Sequence, residues 1–502
     1  MALIGIDIGT SNSCAAFWDG RAARMIELGE GINTILPSVV TIAEGGVYVG
    51  QDAIEMGKRY PDYCFRHFKR RLAEPWHHDE DSGDRTTCEG VDESGQPNGL
   101  TYYQGPDGTK YSPVVLTAYL IEALVRAANE RLSPHDSVTG AVICVPADFT
   151  QSQRMAVAEA AKMAGLARVE VMHEPTAAAL AYGYDAKKAR RIAIFDLGGG
   201  TFDLSIVQTG GGLVDVLTTN GVRDLGGTDF DQRIADYVVN LWEQHNTFSS
   251  KKARDSALIR IGPEAEAVKK RLSDRTEAPF RLEGIDRTKE GVSLNMIYSI
   301  ERETFESLTR DLRDRIMLAC KMAVDDARRD DPNFSVKDLH DVLLVGGMTR
   351  VPSVRATVAE FFGKPPKKDE SPEQVVAMGA AIRAAILDGR KPDITIADIT
   401  SHTLALETAG GVAAVLFPKG TSYPIEDTFQ IANEDDDQKQ LSIRLIQGEA
   451  HRASVCELLW SAEIPVEPSP ATKSVKPLTA KLDASGRPFV TIGGLEYRGG
   501  EA

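Results

Sequence analysis

One pattern occurs twice in the chain: an apolar run ending in a carboxylate, a small-residue turn, and a second apolar run. The copy Ala193-Ile194-Phe195-Asp196-Leu197-Gly198-Gly199-Gly200-Thr201-Phe202-Asp203-Leu204-Ser205-Ile206-Val207 reads strand, turn, strand. Successive glycines let backbone N–H groups approach an anion with no Cβ in the way. Asp196 and Asp203 would repel a phosphate directly, so the pattern makes sense with a hydrated Mg2+ between carboxylates and phosphates. Taken alone, the same residues also describe an ordinary β-hairpin. The second copy, Leu3-Ile4-Gly5-Ile6-Asp7-Ile8-Gly9-Thr10-Ser11-Asn12-Ser13-Cys14-Ala15-Ala16-Phe17, weakens that alternative. The two lie roughly 190 residues apart, so each opens one half of a duplicated α/β lobe. Facing each other, the turns Gly9, Thr10, Ser11, Asn12 and Gly198, Gly199, Gly200, Thr201 would clamp a polyphosphate, with Asp7, Asp196 and Asp203 converging on one metal ion.

Neither copy fits G-x-x-x-x-G-K-[ST] or a G-x-G-x-x-G opening a helix, which makes P-loop and dinucleotide-binding folds poor readings. A third element, Asp341-Val342-Leu343-Leu344-Val345-Gly346-Gly347-Met348-Thr349-Arg350-Val351-Pro352, reads as buried strand, Gly-Gly turn and helix start. A flat base or ribose would fit against backbone at Gly346 and Gly347; a plain strand-to-helix loop is the alternative.

Three such pieces in this order resemble the actin-like ATPases, a superfamily that includes sugar kinases. The segments GIDIGTSNSCAAF, HFKRRL, AVICVPADFTQSQR, HEPTAAALAYGYD, FDLGGGTFDLSIV, DLGGTDFD, LLVGGMTRVPSV and MGAAIRAAIL narrow the resemblance to the seventy-kilodalton heat-shock chaperones of the DnaK type. The likeness covers residues 1 to about 448, and more loosely to about 495. It implies an α/β actin-like two-lobed ATPase domain (1–388), an interdomain linker (389–397) and an all-β sandwich that binds substrate (398–502). The cofactors implied are ATP or ADP with Mg2+, K+ being a further candidate ion.

The resemblance also assigns roles. Lys69 corresponds to a lysine that reaches the γ-phosphate and attacking water, Glu174 to a carboxylate near that water, and Thr201 to a hydroxyl at the phosphate turn; with Asp196 these form the catalytic set. Gly226 and Gly227 join the phosphate-binding residues. Glu266, Lys269, Lys270 and Ser273 fall at i, i+3, i+4 and i+7 of a helix over Glu264–Ser273, hence on one face, which is either a solvated face or, by resemblance, the nucleoside wall. Gly346, Gly347, Arg350 and Glu373 would complete it, Glu373 standing where the family usually has Asp.

Pro146, Arg154 and Asp393 are the implied interdomain-coupling residues. Between the first two, Ala147-Asp148-Phe149-Thr150-Gln151 departs from the usual Ala-Tyr-Phe-Asn-Asp. Glu170 and His173 replace the arginine and asparagine that commonly receive a J-domain co-chaperone, and a reversed charge at such a contact is costly. In the β-domain, Leu406, Phe429, Leu441 and Ile443 match an apolar pocket for an extended polypeptide, with Ala409 and Ala432 arching over it; sandwich core is the alternative.

Composition is compatible with this. Hydrophobic and charged contents of 42% and 26% suit a globular chain. A net charge of -16 argues against nonspecific nucleic-acid binding. No apolar run approaches the ~20 residues of a membrane span. No signal peptide is visible, and the six cysteines show no C-x-x-C spacing, so free thiols in a reducing cytoplasm are expected.

Residues 77 to 110 form an acidic, glycine-rich stretch expected to be a solvated loop and small hairpin, with His77 and His78 as surface residues. Helical spacing resumes in Pro113–Arg131, with Val114, Val115, Leu116, Tyr119, Leu120 and Leu124 on one face. The linker segment Asp393-Ile394-Thr395-Ile396-Ala397-Asp398-Ile399 is interrupted by Thr395 and Ala397, which lowers the expectation that it docks. From about 398 the pattern is all-β, and no helical lid is expected after it.

The expected activity is an ATP-dependent chaperone with extended polypeptide substrates, a J-domain co-chaperone at an atypical contact, and a nucleotide exchange factor. The alternative is a nucleotide-gated regulatory or scaffold protein that keeps the clamp without general chaperone activity.

Overall fold

A computed structural model describes residues 2–29, 33–74, 87–91, 97–132, 137–183, 189–367, 371–391, 394–473 and 475–498. His77, His78 and Asp393, singled out from the sequence, lie outside these. Both copies of the repeated pattern form strand-turn-strand units, Ala2–Ile8 with Asn12–Trp18 and Arg190–Leu197 with Phe202–Gly210. In each unit the leading strand has an antiparallel hairpin partner on one side and a parallel neighbour on the other, Val138–Val145 for the first and Asp341–Val345 for the second. Strands so placed are covered on both faces, which is why Ala2–Ile8 and Arg190–Leu197 read as nearly continuous apolar runs.

The first sheet runs Arg168–His173, Val138–Val145, Ala2–Ile8, Asn12–Trp18, Ala23–Met25, with Leu36–Pro37 attached to Asn12–Trp18. The second runs Asp341–Val345, Arg190–Leu197, Phe202–Gly210, Leu213–Val222, Thr395–Ile399, Ser422–Tyr423. One apolar core joins the two sheets: Leu3, Cys14 and Val142 from the first and Ile192, Ile194 and Leu343 from the second meet around the helices Glu174–Gly183 and Val375–Leu387. Separate cores fill the far side of each sheet, around Ile4, Ile6 and Ile143 in one lobe and Phe195, Phe202, Phe230 and Trp242 in the other.

The helix expected at Pro113–Arg131 forms over those residues; Ser112 caps it by accepting from Val115 N at 3.2 Å, and Pro113 occupies the first turn. Leu116, Leu120 and Leu124 are buried, with Val114, Val115 and Tyr119 half-buried beside them. The helix expected at Glu264–Ser273 is the end of a longer one, Lys251–Asp274, that runs through Pro263. In the acidic stretch, Thr87–Val91, Pro97–Gln104 and Lys110–Tyr111 form a three-stranded antiparallel sheet, anchored by Tyr103 on Phe65 at 5.1 Å between ring centroids.

The C-terminal part is a sandwich of two four-stranded antiparallel sheets. Alternation from Gln440 to Leu445 places Leu441, Ile443 and Leu445 in its core and Ser442 and Arg444 outside, before a register shift at Leu445–Ile446. The segment before it is docked. Thr395, Ile396 and Ala397 pair in parallel with Leu213, Val214 and Asp215, and Asp398 and Ile399 then pair with Tyr423 and Ser422 of the sandwich. Thr395 and Ala397 do not prevent this, because ladder hydrogen bonds come from backbone, while Ile394 and Ile399 supply the buried side chains.

Candidate functional site

Between the two lobes lies a cavity of about 780 Å3. Both repeated turns face it: Asp7, Gly9, Thr10, Ser11 and Asn12 line one wall, and Asp196, Gly198, Gly199 and Thr201 the opposite one. Gly227, Lys69, Glu174, Glu266, Lys269, Lys270, Ser273, Gly346, Gly347, Arg350 and Glu373 also line it. Three of the residues expected there do not reach the cavity. Gly200 and Gly226 stand behind the wall, where a Cβ on Gly226 would strike the backbone of Gly199 and Gly200. Asp203 is paired opposite Asp196 but buried against Gly221, with Oδ1 lacking any partner.

The two turns touch. A Cβ on Gly199 would run into the Ser11 side chain, so only glycine lets the facing backbones come this close. Lys69, in the short 3-10 helix Phe68–Arg71, donates from Nζ to Glu174 Oε1 at 3.0 Å, both side chains being almost fully buried. Its Nζ also lies 5.4 Å from the Phe149 ring centroid. Burial works against the Lys69 charge, yet Glu174 and Asp7 more than offset it and raise its pKa.

The carboxylates are crowded. Burial, then the charge of Glu174, pushes Asp7 up to about 8. Asp196 is raised well above the carboxylate range by burial and then by Glu174 and Asp7, and Asp203 by burial and then by Asp148 and Asp196. Buried carboxylates this close together, offset only in part by Lys69, make a place where a further cation would be favourable. Among the described residues no three His, Cys, Asp or Glu side chains close in enough to chelate a metal directly. The donor set therefore fits a Mg2+ that keeps its water shell.

Elsewhere in the lining, Arg350 grips Glu373 through two bonds of 2.8 Å, Nε to Oε1 and Nη2 to Oε2, which lowers the Glu373 pKa. Lys270 pairs with Glu266 at 2.7 Å across one helical turn. Lys269 is drawn elsewhere: it donates to Gly227 O and Asp231 Oδ2, each at 2.9 Å, and so ties its helix to the start of the helix Gly227–Glu243. A model of the family described as Hsp70 protein matches residues 3–492.

The chain belongs to the Hsp70 family. Hsp70 proteins are ATPases that bind ATP or ADP with Mg2+ and act as ATP-dependent chaperones on unfolded polypeptides, together with co-chaperones. No helix among the described residues is long and apolar enough to cross a membrane.

In this Hsp70 the docked segment brings a residue to the domain seam that sequence reasoning passed over. Asp398 Oδ2 accepts from Thr176 Oγ1 at 2.7 Å and faces His173 Nδ1 at 3.1 Å, while Oδ1 accepts from Ile399 N at 2.8 Å. Burial alone would raise its pKa; His173, Thr176 and the Ile399 N–H together lower it. The signal in the sequence was a carboxylate between Ala397 and Ile399 in an otherwise uncharged strand. Arg154 donates to Ser485 O of the sandwich and Gln151 N to Gln447 Oε1 at 2.8 Å, so the helix Gln151–Met163 also sits on the seam. Pro146 precedes it, buried, accepting from Phe149 N at 3.3 Å. Glu170 is engaged internally by Arg383, at 2.6 and 3.3 Å.

Within the sandwich, Leu406, Leu441 and Ile443 are buried in one apolar cluster and Phe429 packs half-buried against it, its ring 6.4 Å from Phe417. Ala409 and Ala432 are exposed.

Proposed function

We propose that this Hsp70 binds Mg-ATP in the interlobe cavity, hydrolyses it, and couples the nucleotide state through the docked strand Thr395–Ile399 to the binding of extended apolar polypeptide segments by its sandwich. The lobes are read as an actin-like ATPase. The observation that carries this is the pair of facing turns, with the buried Lys69–Glu174 pair and a crowd of carboxylates on the same cavity. Phosphates lie between Gly9–Asn12 and Gly198–Thr201, held by backbone N–H groups and the hydroxyls of Thr10, Ser11 and Thr201. Asp7 and Asp196 would hold a Mg2+ largely through water, and the ion would supply positive charge to offset the phosphates. Asp203 stands behind Asp196, within reach of the same charge.

Phosphoryl transfer needs positioning and electrostatic stabilisation more than covalent help from the protein. Lys69 brings a cation that its surroundings keep protonated, and Glu174 both orients that cation and accepts a hydrogen bond from the attacking water. Glu266, Lys270, Ser273, Gly346, Gly347 and the Arg350–Glu373 pair form the nucleoside wall. Leu406, Phe429, Leu441 and Ile443 are the apolar residues available to a polypeptide segment, and the sandwich must shift to expose them.

One observation favours the nucleotide-gated scaffold instead: Glu170 is already neutralised by Arg383, at the place where the resemblance puts a J-domain contact. Single-turnover ATP hydrolysis with and without an extended apolar peptide separates the two. Acceleration by peptide supports the chaperone; peptide binding without acceleration supports the scaffold, and no hydrolysis in either condition overturns the ATPase reading.

A further inference from the structure

We infer that Arg70 is a positioning residue that holds the nucleotide cleft closed, so that its contacts to the second lobe set the rate of nucleotide release. The inference rests on the nucleotide reading of the interlobe cavity. Phe68–Arg71 is a single 3-10 turn, begun by His67 in the left-handed region at φ 57 and closed by Arg70 N donating to His67 O at 3.0 Å. Three residues per turn send neighbouring side chains about 120° apart. Lys69 therefore points to Glu174 within its own lobe, while Arg70 crosses to the other.

Arg70 Nη2 donates to Gly200 O and to Asp229 Oδ2, each at 2.6 Å. The same Asp229 oxygen accepts from Gly226 N at 2.7 Å, at the start of the helix Gly227–Glu243. One guanidinium thus holds the phosphate turn and an adjoining helix terminus together. The ion pair is mostly shielded, its side chains 19% and 26% exposed, where charge-assisted hydrogen bonds are strong. Arg70 packs directly on the turn: a Cβ on Gly200 would come within 2.9 Å of its Nε.

Arg70 does not line the nucleotide cavity. It lines a second one, of about 710 Å3, on the far side of the bridge, and Glu266 borders both. Losing Arg70 therefore removes no contact to the nucleotide and acts through closure alone. Because Lys69 shares the same turn, closing the cleft and placing the catalytic ammonium are one event.

The test is release of a fluorescent ADP analogue from the full chain by stopped-flow displacement, comparing wild type with Arg70→Met, Arg70→Lys, Asp229→Asn and the double variant Arg70→Met/Asp229→Asn. Arg70→Met and Asp229→Asn should each speed release about tenfold, as expected for one hydrogen bond to a charged group. The double variant should be no faster than the faster single one. Arg70→Lys should fall between, since an ammonium lacks the planar fork. Thermal unfolding midpoints of the nucleotide-free proteins should stay together, separating closure from general stability. If Arg70→Met does not fold, Asp229→Asn and Arg70→Lys decide. Wild-type release rates in these variants, or additive effects in the double one, overturn the inference; failure of the wild type to bind ADP overturns the nucleotide reading beneath it.

Discussion

Replacing Asp398 with alanine should undock the sandwich from the ATPase lobes. Its carboxylate holds Thr176 Oγ1 at 2.7 Å, faces His173 Nδ1 at 3.1 Å and accepts from Ile399 N at 2.8 Å, in a setting where the Asp and His side chains are 8% and 5% exposed. Truncation leaves a buried hydroxyl and a buried imidazole nitrogen facing a void. Leaving buried polar groups without their partner typically costs about 1–3 kcal/mol, more where the lost group is charged. Water can enter this seam as it loosens, so a value near 3 kcal/mol is the better expectation, a change of roughly a hundredfold in the docked-to-undocked ratio. The strand ladder and the contacts of Gln151, Arg154 and Ser401 remain, so the lobes themselves should stay folded. Because the Asp398 pKa is depressed below 3.8, its contribution is complete at neutral pH and disappears only as pH falls below about 4. Energy transfer between dyes on the ATPase and the sandwich, with limited proteolysis of 389–397, measures docking. Asp398→Asn, which keeps an acceptor and loses the charge, should give a smaller shift. An unchanged docked fraction for Asp398→Ala would refute the claim that this carboxylate carries the seam.

Lys69→Ala should nearly abolish single-turnover hydrolysis while ATP still binds, and Thr201→Ala should bind ATP with slower turnover; unchanged turnover in both removes the catalytic assignment. His402 is half-buried beside Arg223 at 3.2 Å, with Lys419, Glu449 and His173 nearby; its partial burial, then the Arg223 and Lys419 charges, lowers it from 6.5 to about 4. The His402 contribution to docking is therefore complete above pH 6.5 and is lost as pH falls toward 4, and His402→Leu should remove that contribution from the docking profile. Asp148 on the same seam, pushed up to about 6, mainly by burial, titrates in the opposite sense, so the difference between the two proteins isolates the histidine. Trp242→Ala, in a core where that side chain is 1% exposed, should lower stability by about 3–5 kcal/mol in denaturant unfolding of the ATPase lobes.

Several elements were readable without coordinates because each is set by local physics. The turns at Gly9–Asn12 and Gly198–Thr201 need small residues wherever they sit, and the helix Pro113–Arg131 carries its own cap, proline start and apolar stripe. The Leu441-Ser442-Ile443-Arg444 alternation likewise specifies a strand with one buried face. Partner choice was less legible. Glu170 and His173 read as defects in a co-chaperone contact, yet each has an internal partner, Arg383 at 213 positions along the chain and Asp398 at 225. Lys269 lines the cavity as expected, but its bonds to Gly227 and Asp231, 42 and 38 positions away, could not be read from the helix spacing.

By itself, then, the sequence determined the strand-turn-strand repeats, the carboxylates and glycines at their turns, and the change from α/β to all-β texture near residue 398. These follow from backbone sterics and the periodicity of apolar residues, which act over a few positions. It took the folded chain to put Asp203 and Gly200 behind the cavity wall, to join Thr395–Ile399 to the second sheet, and to make Arg70 and Asp398 bridge lobe to lobe and domain to domain. Those outcomes depend on which buried charge finds which partner across the fold, and no local pattern encodes that pairing.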